Sequence, residues 1–280
     1  MDSDIHVRIP RDGVPPCLRR RGAIHRVMQP EIELGPLTLQ TFGLMMGLGF
    51  VVAGIFAQRY LKEIGRPPDW AYEMVFAALV GGLVGARLWA VIEDWDDAKN
   101  DIFGSLFSGA GLVFYGGLLG GALAVLAWAW RKGVLDLKTL DTAAVPLAAA
   151  YAIGRIGCQL AGDGDYGKEW DGPWAMAYPE GTVPTTEEVH PTPVYETLVM
   201  GGVAWFLWSR RHKLPPGGLF ALYLVLAGAE RFLVEFLRRN ERIVVGLTLA
   251  QLIALAMVAA GTVWLLRLRG ARGVPAPART

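Results

Sequence analysis

Arg87, Arg155 and Arg231 lie in stretches of chain that otherwise hold almost nothing but apolar residues, and so do Glu73, Glu196, Glu230 and Glu235. An ion near the centre of a membrane helix costs about 2.5–3.5 kcal/mol, so it needs a partner or a task. Arg231, Glu235 and Arg238 follow i, i+4, i+7 spacing and share one helix face. Arg231 and Glu235 can therefore neutralise each other and snorkel outward. Arg87 and Arg155 lie on other segments, and Glu196 and Glu230 are the carboxylates left to partner them. Three buried guanidinium groups also suit an anion, and the fixed fork of arginine fits phosphate. Two readings stand on these residues: binding of a lipid phosphate, which their common depth favours, and ion pairing that is purely structural.

Proton chemistry near the same level falls to His190 or Tyr115. With unperturbed pKa values of about 6.5 and about 10, the histidine is the better base and the tyrosine the better orienting group. Cys158 is three residues beyond Arg155, on the same face, and reads as a small core hydrophobe. A thioether formed on it would leave poorly. Asp163 and Asp165 lack EF-hand spacing. Cys17 and Cys158 are too few for a disulfide framework and have no metal-ligand spacing, so no metal site is expected.

The elements that carry these residues follow from composition. Of 280 residues 53% are hydrophobic and 19% charged, against about 25% charged in soluble domains. A net charge of +1 gives no reason to expect a nucleic-acid partner. Seven apolar runs, at 39–57, 71–92, 111–130, 142–162, 193–209, 217–236 and 244–266, have the length of a bilayer-spanning helix. None shows the polar stripe of a soluble bundle. The fold class expected is an all-α polytopic membrane protein with seven transmembrane helices. Thirteen Lys and Arg residues fall in one set of loops and the C-terminal tail and five in the opposite loops, while the six arginines of the N-terminal segment lie 13 or more residues before the first run and weigh little; this puts the N-terminus outside and the C-terminus in the cytoplasm. Trp70, Tyr72, Trp128, Trp130, Trp205, Trp208 and Trp264 suit an interfacial belt.

In that orientation Arg87, Arg155, Glu196, Arg231, Glu235 and Tyr115 lie within roughly 10 Å of one plane at the outer face, and Glu73 lies at the inner face. The domain runs from 38 to 266, with outer loops at 93–110 and 163–192. The second loop is too long for a mere connection and is a candidate for substrate handling. The Arg-rich segment 1–37 and the tail 267–280 read as disordered or surface extensions. The clusters Gly81-Gly82-Leu83-Val84-Gly85 and Gly116-Gly117-Leu118-Leu119-Gly120-Gly121 carry small-xxx-small spacing, read as helix packing.

Gly154-Arg155-Ile156-Gly157 leading to Gly162-Asp163-Gly164, then His190-Pro191-Thr192-Pro193-Val194-Tyr195-Glu196, then Arg231-Phe232-Leu233-Val234-Glu235-Phe236, occur in that order. Together they resemble the motifs of the prolipoprotein diacylglyceryl transferase family, over roughly 38–266. The resemblance implies transfer of the diacylglyceryl group of phosphatidylglycerol to the lipobox cysteine of a prolipoprotein, with release of glycerol 1-phosphate. It implies no metal or organic cofactor, and a site near the outer leaflet of the bacterial inner membrane. Arg155 matches the family's Gly-Arg-x-Gly arginine, and Arg231 and Glu235 its late Arg-x-x-x-Glu. The chain departs at Tyr115, where the family commonly has histidine, at Cys158 in place of asparagine, and at Asp163 in place of glutamate.

The residues expected to act are Arg155, Arg231, Glu235, Tyr115 and His190, with Arg87, Gly154, Gly157, Asp163, Tyr195 and Glu196 contacting substrate. The expected partners are phosphatidylglycerol, a prolipoprotein lipobox peptide and the bilayer. The alternatives are a phospholipid-binding protein or transporter without catalysis, and a paralogue acting on a different thiol acceptor.

Overall fold

The computed structural model describes residues 28–35, 37–95, 99, 113–243 and 245–272. The expectations for 1–27, for nearly all of the loop 93–110 and for 273–280 fall outside the described residues, as does Cys17. Among the described residues seven helices account for most of the chain: α1 (Thr41–Glu63), α2 (Trp70–Glu93), α3 (Phe114–Arg131), α4 (Leu137–Ala161), α5 (Thr192–Arg210), α6 (Gly218–Val234) and α7 (Leu249–Arg272). Each overlies one of the apolar runs. The helices α1, α2, α4 and α7 are long and apolar enough to cross a membrane.

Two antiparallel hairpins complete the fold, β1 (Glu31–Leu34) with β2 (Leu37–Gln40), and β3 (Met176–Tyr178) with β4 (Thr185–Val189). The first lies within or beside the stretch expected to be an extension. Its approach is fixed by backbone bonds: Gln29 N–H donates to Leu160 O at 2.9 Å and Thr41 N–H to Pro30 O at 2.8 Å. Met28 is buried with Tyr166, Tyr178 and Val189. Residues before 38 therefore pack on the fold, because the apolar side chain of Met28 has a pocket to fill.

In lipid, helices gain nothing by hiding apolar surface from one another, so close packing needs small residues. A Cβ added at Gly85 would come within 2.8 Å of Gly120 Cα, and one at Gly120 equally close to Gly85 Cα. The two helices α2 and α3 cross with backbones nearly touching, and both glycine clusters face that seam. Gly228 and Gly261 play the same part between α6 and α7, against Ala254 O and Ala221 O respectively. The Ala-rich α4 packs against α1, α5 and α6 and buries Ala144, Ala148, Ala149 and Ala152.

Ion pairs pin one end of the bundle. Glu63 is 2.6 Å from Arg211 Nε, and Glu73 is 2.8 Å from Lys132 and accepts from Trp128 Nε1 at 2.7 Å. Asp136 caps α4 by accepting from Thr139 N–H at 2.9 Å and pairs with Arg66. Asp141, buried within α4, accepts from Gly217 N–H at 2.7 Å and Phe220 N–H at 2.8 Å. It satisfies donors at the first turn of α6, which has no side-chain cap of its own.

Gly85→Val should force α2 and α3 apart. Overpacking of this kind costs about 1–3 kcal/mol, or a fall of roughly 3–10 °C in the detergent melting temperature. Gly47→Ala on α1, where nothing lies within 4 Å, should leave it unchanged; equal stability of both variants would contradict the seam.

Candidate functional site

A carboxylate out of water must find cations, and Glu196 is wholly buried. It sits one turn into α5, whose start is set by Pro191 and Pro193. Three arginines converge on it. Arg155 Nε lies 2.6 Å from Glu196 Oε2, out of line for a hydrogen bond. Arg231 Nη1 and Arg238 Nη1 each donate to Glu196 Oε1 at 3.3 Å. Two more carboxylates close the network. Asp165 pairs with both Arg155 and Arg238. Glu235 is 3.0 Å from Arg231 Nη2 and accepts from Asn240 Nδ2 at 2.5 Å and Thr248 Oγ1 at 2.9 Å. Three guanidinium groups and three carboxylates thus balance in charge.

Asp165 reaches the arginines because the chain turns sharply after α4. Gly162 caps that helix at φ 59°, its N–H donating to Cys158 O at 2.9 Å; a side chain is strained in this left-handed region. The following loop is stitched to the segment after α6. Lys168 N–H donates to Leu237 O at 2.7 Å, Lys168 Nζ to Phe236 O at 2.9 Å and Arg239 Nε to Gly167 O at 3.0 Å. Tyr166 and Tyr178 stack with centroids 4.9 Å apart. The loop 163–192 is therefore a folded cap over this end of the bundle.

The arginines differ in what they have left to offer. Arg238 is 8% exposed, with all three of its nitrogens committed to carboxylates. Arg231 is 23% exposed. Among the described residues Arg231 Nε and Arg155 Nη2 make no hydrogen bond or ion pair. An anion entering beside Glu196 would meet these two donors.

Electrostatics separate the two loop acids. Burial pushes Asp165 up, but Arg155 and Arg238 outweigh it and hold the carboxyl below the usual carboxylate range. Burial pushes Asp163 up, and its Oδ1 accepts from Asp165 N–H at 3.2 Å. Cys158 Sγ lies 3.5 Å from Arg155 Nη1 and 3.7 Å from Asp165 Oδ2. The Cys158, Asp163 and Asp165 ligand atoms lie within 4.8 Å of one another, but Arg155 already supplies the positive charge a metal would bring.

Of the expected residues, the structure brings Arg155, Glu196, Arg231 and Glu235 together. Arg238 and Asp165 belong with them and were not among the expected site residues. For Arg238 the i+7 spacing was a signal, yet α6 ends at Val234 and a turn delivers this arginine to Asp165. Asp165 takes the bridging position, whereas Asp163 orders the turn. Of the two carboxylates expected to partner Arg87 and Arg155, Glu196 does pair with Arg155, and its three partners come from α4, α6 and the turn after it; the other is corrected. Glu230 makes no ion pair within 4 Å among the described residues, because the nearer arginines are taken by Glu196 and Glu235.

Gly157 packs against Met45 and Phe42 of α1, and nothing lies within 4 Å of a Cβ at Gly154. His190 and Tyr195 form an aromatic group beside the cluster. His190 stacks on Trp170 at 4.4 Å and its Nδ1 is 3.3 Å from the Tyr195 hydroxyl, which accepts from Trp174 Nε1 at 2.7 Å. Burial pushes the His190 imidazole below its usual value. Tyr115 stands in the first turn of α3, 41% exposed.

The family described as prolipoprotein diacylglyceryl transferase matches residues 30–267. A chain of Clostridium tetani named phosphatidylglycerol–prolipoprotein diacylglyceryl transferase is 33% identical over 220 residues, 77% of this chain and 87% of that one. One of Leptospira interrogans with the same name is 32% identical over 231 residues, 72% of each chain. One of Streptococcus pyogenes, again of that name, is 28% identical over 253 residues, 87% of this chain and 96% of that one.

Arg238→Leu should destabilise the fold by about 3–5 kcal/mol, because it leaves buried carboxylates without a counter-charge. Detergent unfolding of this variant against wild type checks it. The depressed carboxyl of Asp165 sets a pH window. Its contribution is complete above the unfolded carboxylate pKa and is lost as pH falls through the lower folded value. Protease resistance of the loop 163–192 should therefore persist at pH 5 and fail only below about pH 4; in Asp165→Asn it should be low at both.

Proposed function

The chain belongs to the prolipoprotein diacylglyceryl transferase family, and from that premise we propose that it transfers the diacylglyceryl group of phosphatidylglycerol to the lipobox cysteine of prolipoproteins. The observation that carries this reading is the pair of uncommitted arginine nitrogens, Arg155 Nη2 and Arg231 Nε, beside a buried charge network.

The reaction forms a bond from the acceptor sulfur to the terminal glyceryl carbon of the lipid and breaks the bond from that carbon to the phosphate oxygen. The electron pair leaves on glycerol 1-phosphate and the thiol proton goes to a base. Charge develops on the leaving phosphate, and donors fixed in a dry site stabilise it without reorganising. Arg155 and Arg231 take that role. Glu196 and Glu235 orient them, and Arg238 and Asp165 hold the network closed. His190, whose imidazole burial pushes below its usual value, is the better proton acceptor of the two. Tyr115 orients the headgroup from α3, and Arg87, Gly154, Asp163 and Tyr195 line the approach.

In this reading all seven helices span the bacterial inner membrane, with the N-terminus outside and the cluster near the outer leaflet. Lipid then enters sideways from the bilayer and the peptide from outside. The 13-to-5 loop bias in Lys and Arg supports that orientation.

Mass spectrometry of a lipobox peptide incubated with phosphatidylglycerol and the purified protein tests the activity. A diacylglyceryl adduct on the cysteine, with glycerol phosphate released, is the expected result, and its absence would overturn the reading. Arg155→Ala and Arg231→Ala should each slow transfer about 100-fold or more while helix content is kept. Cys158→Ala should stay active, since the acceptor thiol belongs to the substrate, and Tyr115→Phe should lose only a few-fold. A dead Tyr115→Phe enzyme would instead make that hydroxyl part of the proton transfer.

A further inference from the structure

We propose that Tyr151 and Glu230 form a subsite that reads the hydroxyl groups of the phospholipid headgroup; the proposal rests on the transferase reading above. Glu230 is 8% exposed, and its Oε1 has no hydrogen-bond partner. The Tyr151 hydroxyl is likewise buried and has no partner. Buried polar atoms are nearly always paired, so two orphans at one place call for an explanation. On the neighbouring α5, by contrast, a hydroxyl is satisfied: Thr197 Oγ1 lies 2.8 Å from Pro193 O and 3.3 Å from Ala152 O.

The orphans flank the arginines proposed to hold phosphate. Tyr151 is one turn before Arg155 on α4, and the Arg155 guanidinium sits 5.0 Å from its ring centroid. Glu230 precedes Arg231 on α6. Tyr151 and Glu230 interact electrostatically with each other and with Arg155, Glu196 and Arg231. Structural neutralisation does not account for Glu230. The cluster already balances three arginines with three carboxylates, and Glu230 is the acid left over.

A headgroup hydroxyl supplies what both atoms lack, because it donates one hydrogen bond and accepts others. With phosphate at Arg155 and Arg231, a glycerol headgroup places two hydroxyl-bearing carbons one methylene beyond the ester oxygen. One hydroxyl donates to Glu230 Oε1, and its neighbour pairs with the Tyr151 hydroxyl. A site built to bond a substrate hydroxyl rejects the analogue that lacks it, because its own groups are then left buried and unpaired.

The test compares two lipid donors on one lipobox peptide: phosphatidylglycerol, and phosphatidylethanol, which keeps the phosphodiester and has no headgroup hydroxyl. Wild type should favour phosphatidylglycerol in kcat/KM by about 100-fold or more. Tyr151→Phe and Glu230→Leu should each cut that preference about tenfold or more, through slower use of phosphatidylglycerol with phosphatidylethanol nearly unchanged. Glu230→Gln, which keeps an acceptor oxygen, should retain most of it.

Equal losses on both donors would mean a structural role and overturn the subsite. So would an unchanged preference in the variants, or a wild type that does not discriminate between the two donors. If Glu230→Leu does not fold, Tyr151→Phe, which removes a single oxygen, decides the matter. A wild type that transfers from neither lipid would overturn the transferase reading and the subsite with it, an outcome distinct from transfer without selectivity.

Discussion

One carboxyl wholly removed from water, that of Glu196, sets the terms for one end of this molecule. Its burial is tolerable only with cations at hand, and each cation, itself desolvated, needs a further carboxylate. The chain of demands runs from Glu196 to Arg155, Arg231 and Arg238, and from these to Asp165 and Glu235. Asp165 lies beyond α4 and Arg238 beyond α6, so satisfying the network pulls two loops together. The backbone bonds between 167–168 and 236–239 follow from that approach. Buried ion pairs are weak evidence for stability. Their effect in this fold is geometric, fixing two guanidinium groups at a set distance from a carboxylate while part of each stays available to a ligand.

The helices can bring those residues together because their backbones come close. Glycine at the α2–α3 and α6–α7 seams and alanine along α4 remove the side-chain bulk that would hold them apart. At the opposite end the pairs Glu63–Arg211, Asp136–Arg66 and Glu73–Lys132 are partly exposed and screened by water, so each contributes little. The bundle is asymmetric in its electrostatics: a tight, dry network at one end and loose surface pairing at the other. A reaction that separates charge is best served at the dry end, where fixed dipoles are worth most.

Much of this was legible in the residues alone. Seven apolar runs foretold seven helices, since side-chain hydropathy and helix length are local properties. The pairing of Arg231 with Glu235 followed from i, i+4 spacing, and the glycine clusters announced a close helix crossing. The aggregate of charge in Arg155, Glu196, Arg231 and Glu235 marked a site, because ions in apolar runs are costly wherever they fold.

What the sequence by itself determined is therefore the elements and the residues that could not be idle. Only the tertiary structure decided which ion meets which. Glu196 could pair with Arg87 or Arg155 at similar depth, and the packing of α4, α5 and α6 settles on Arg155. Asp163 and Asp165 are indistinguishable by spacing, yet the left-handed turn at Gly162 aims Asp165 at two arginines and leaves Asp163 to order the backbone. Arg238 enters because α6 stops at Val234 and the chain bends back over the cluster. Glu230 looked like a partner and is an orphan. Ion pairing depends on distance across helices, which is long-range in the chain, and no local pattern carries that information.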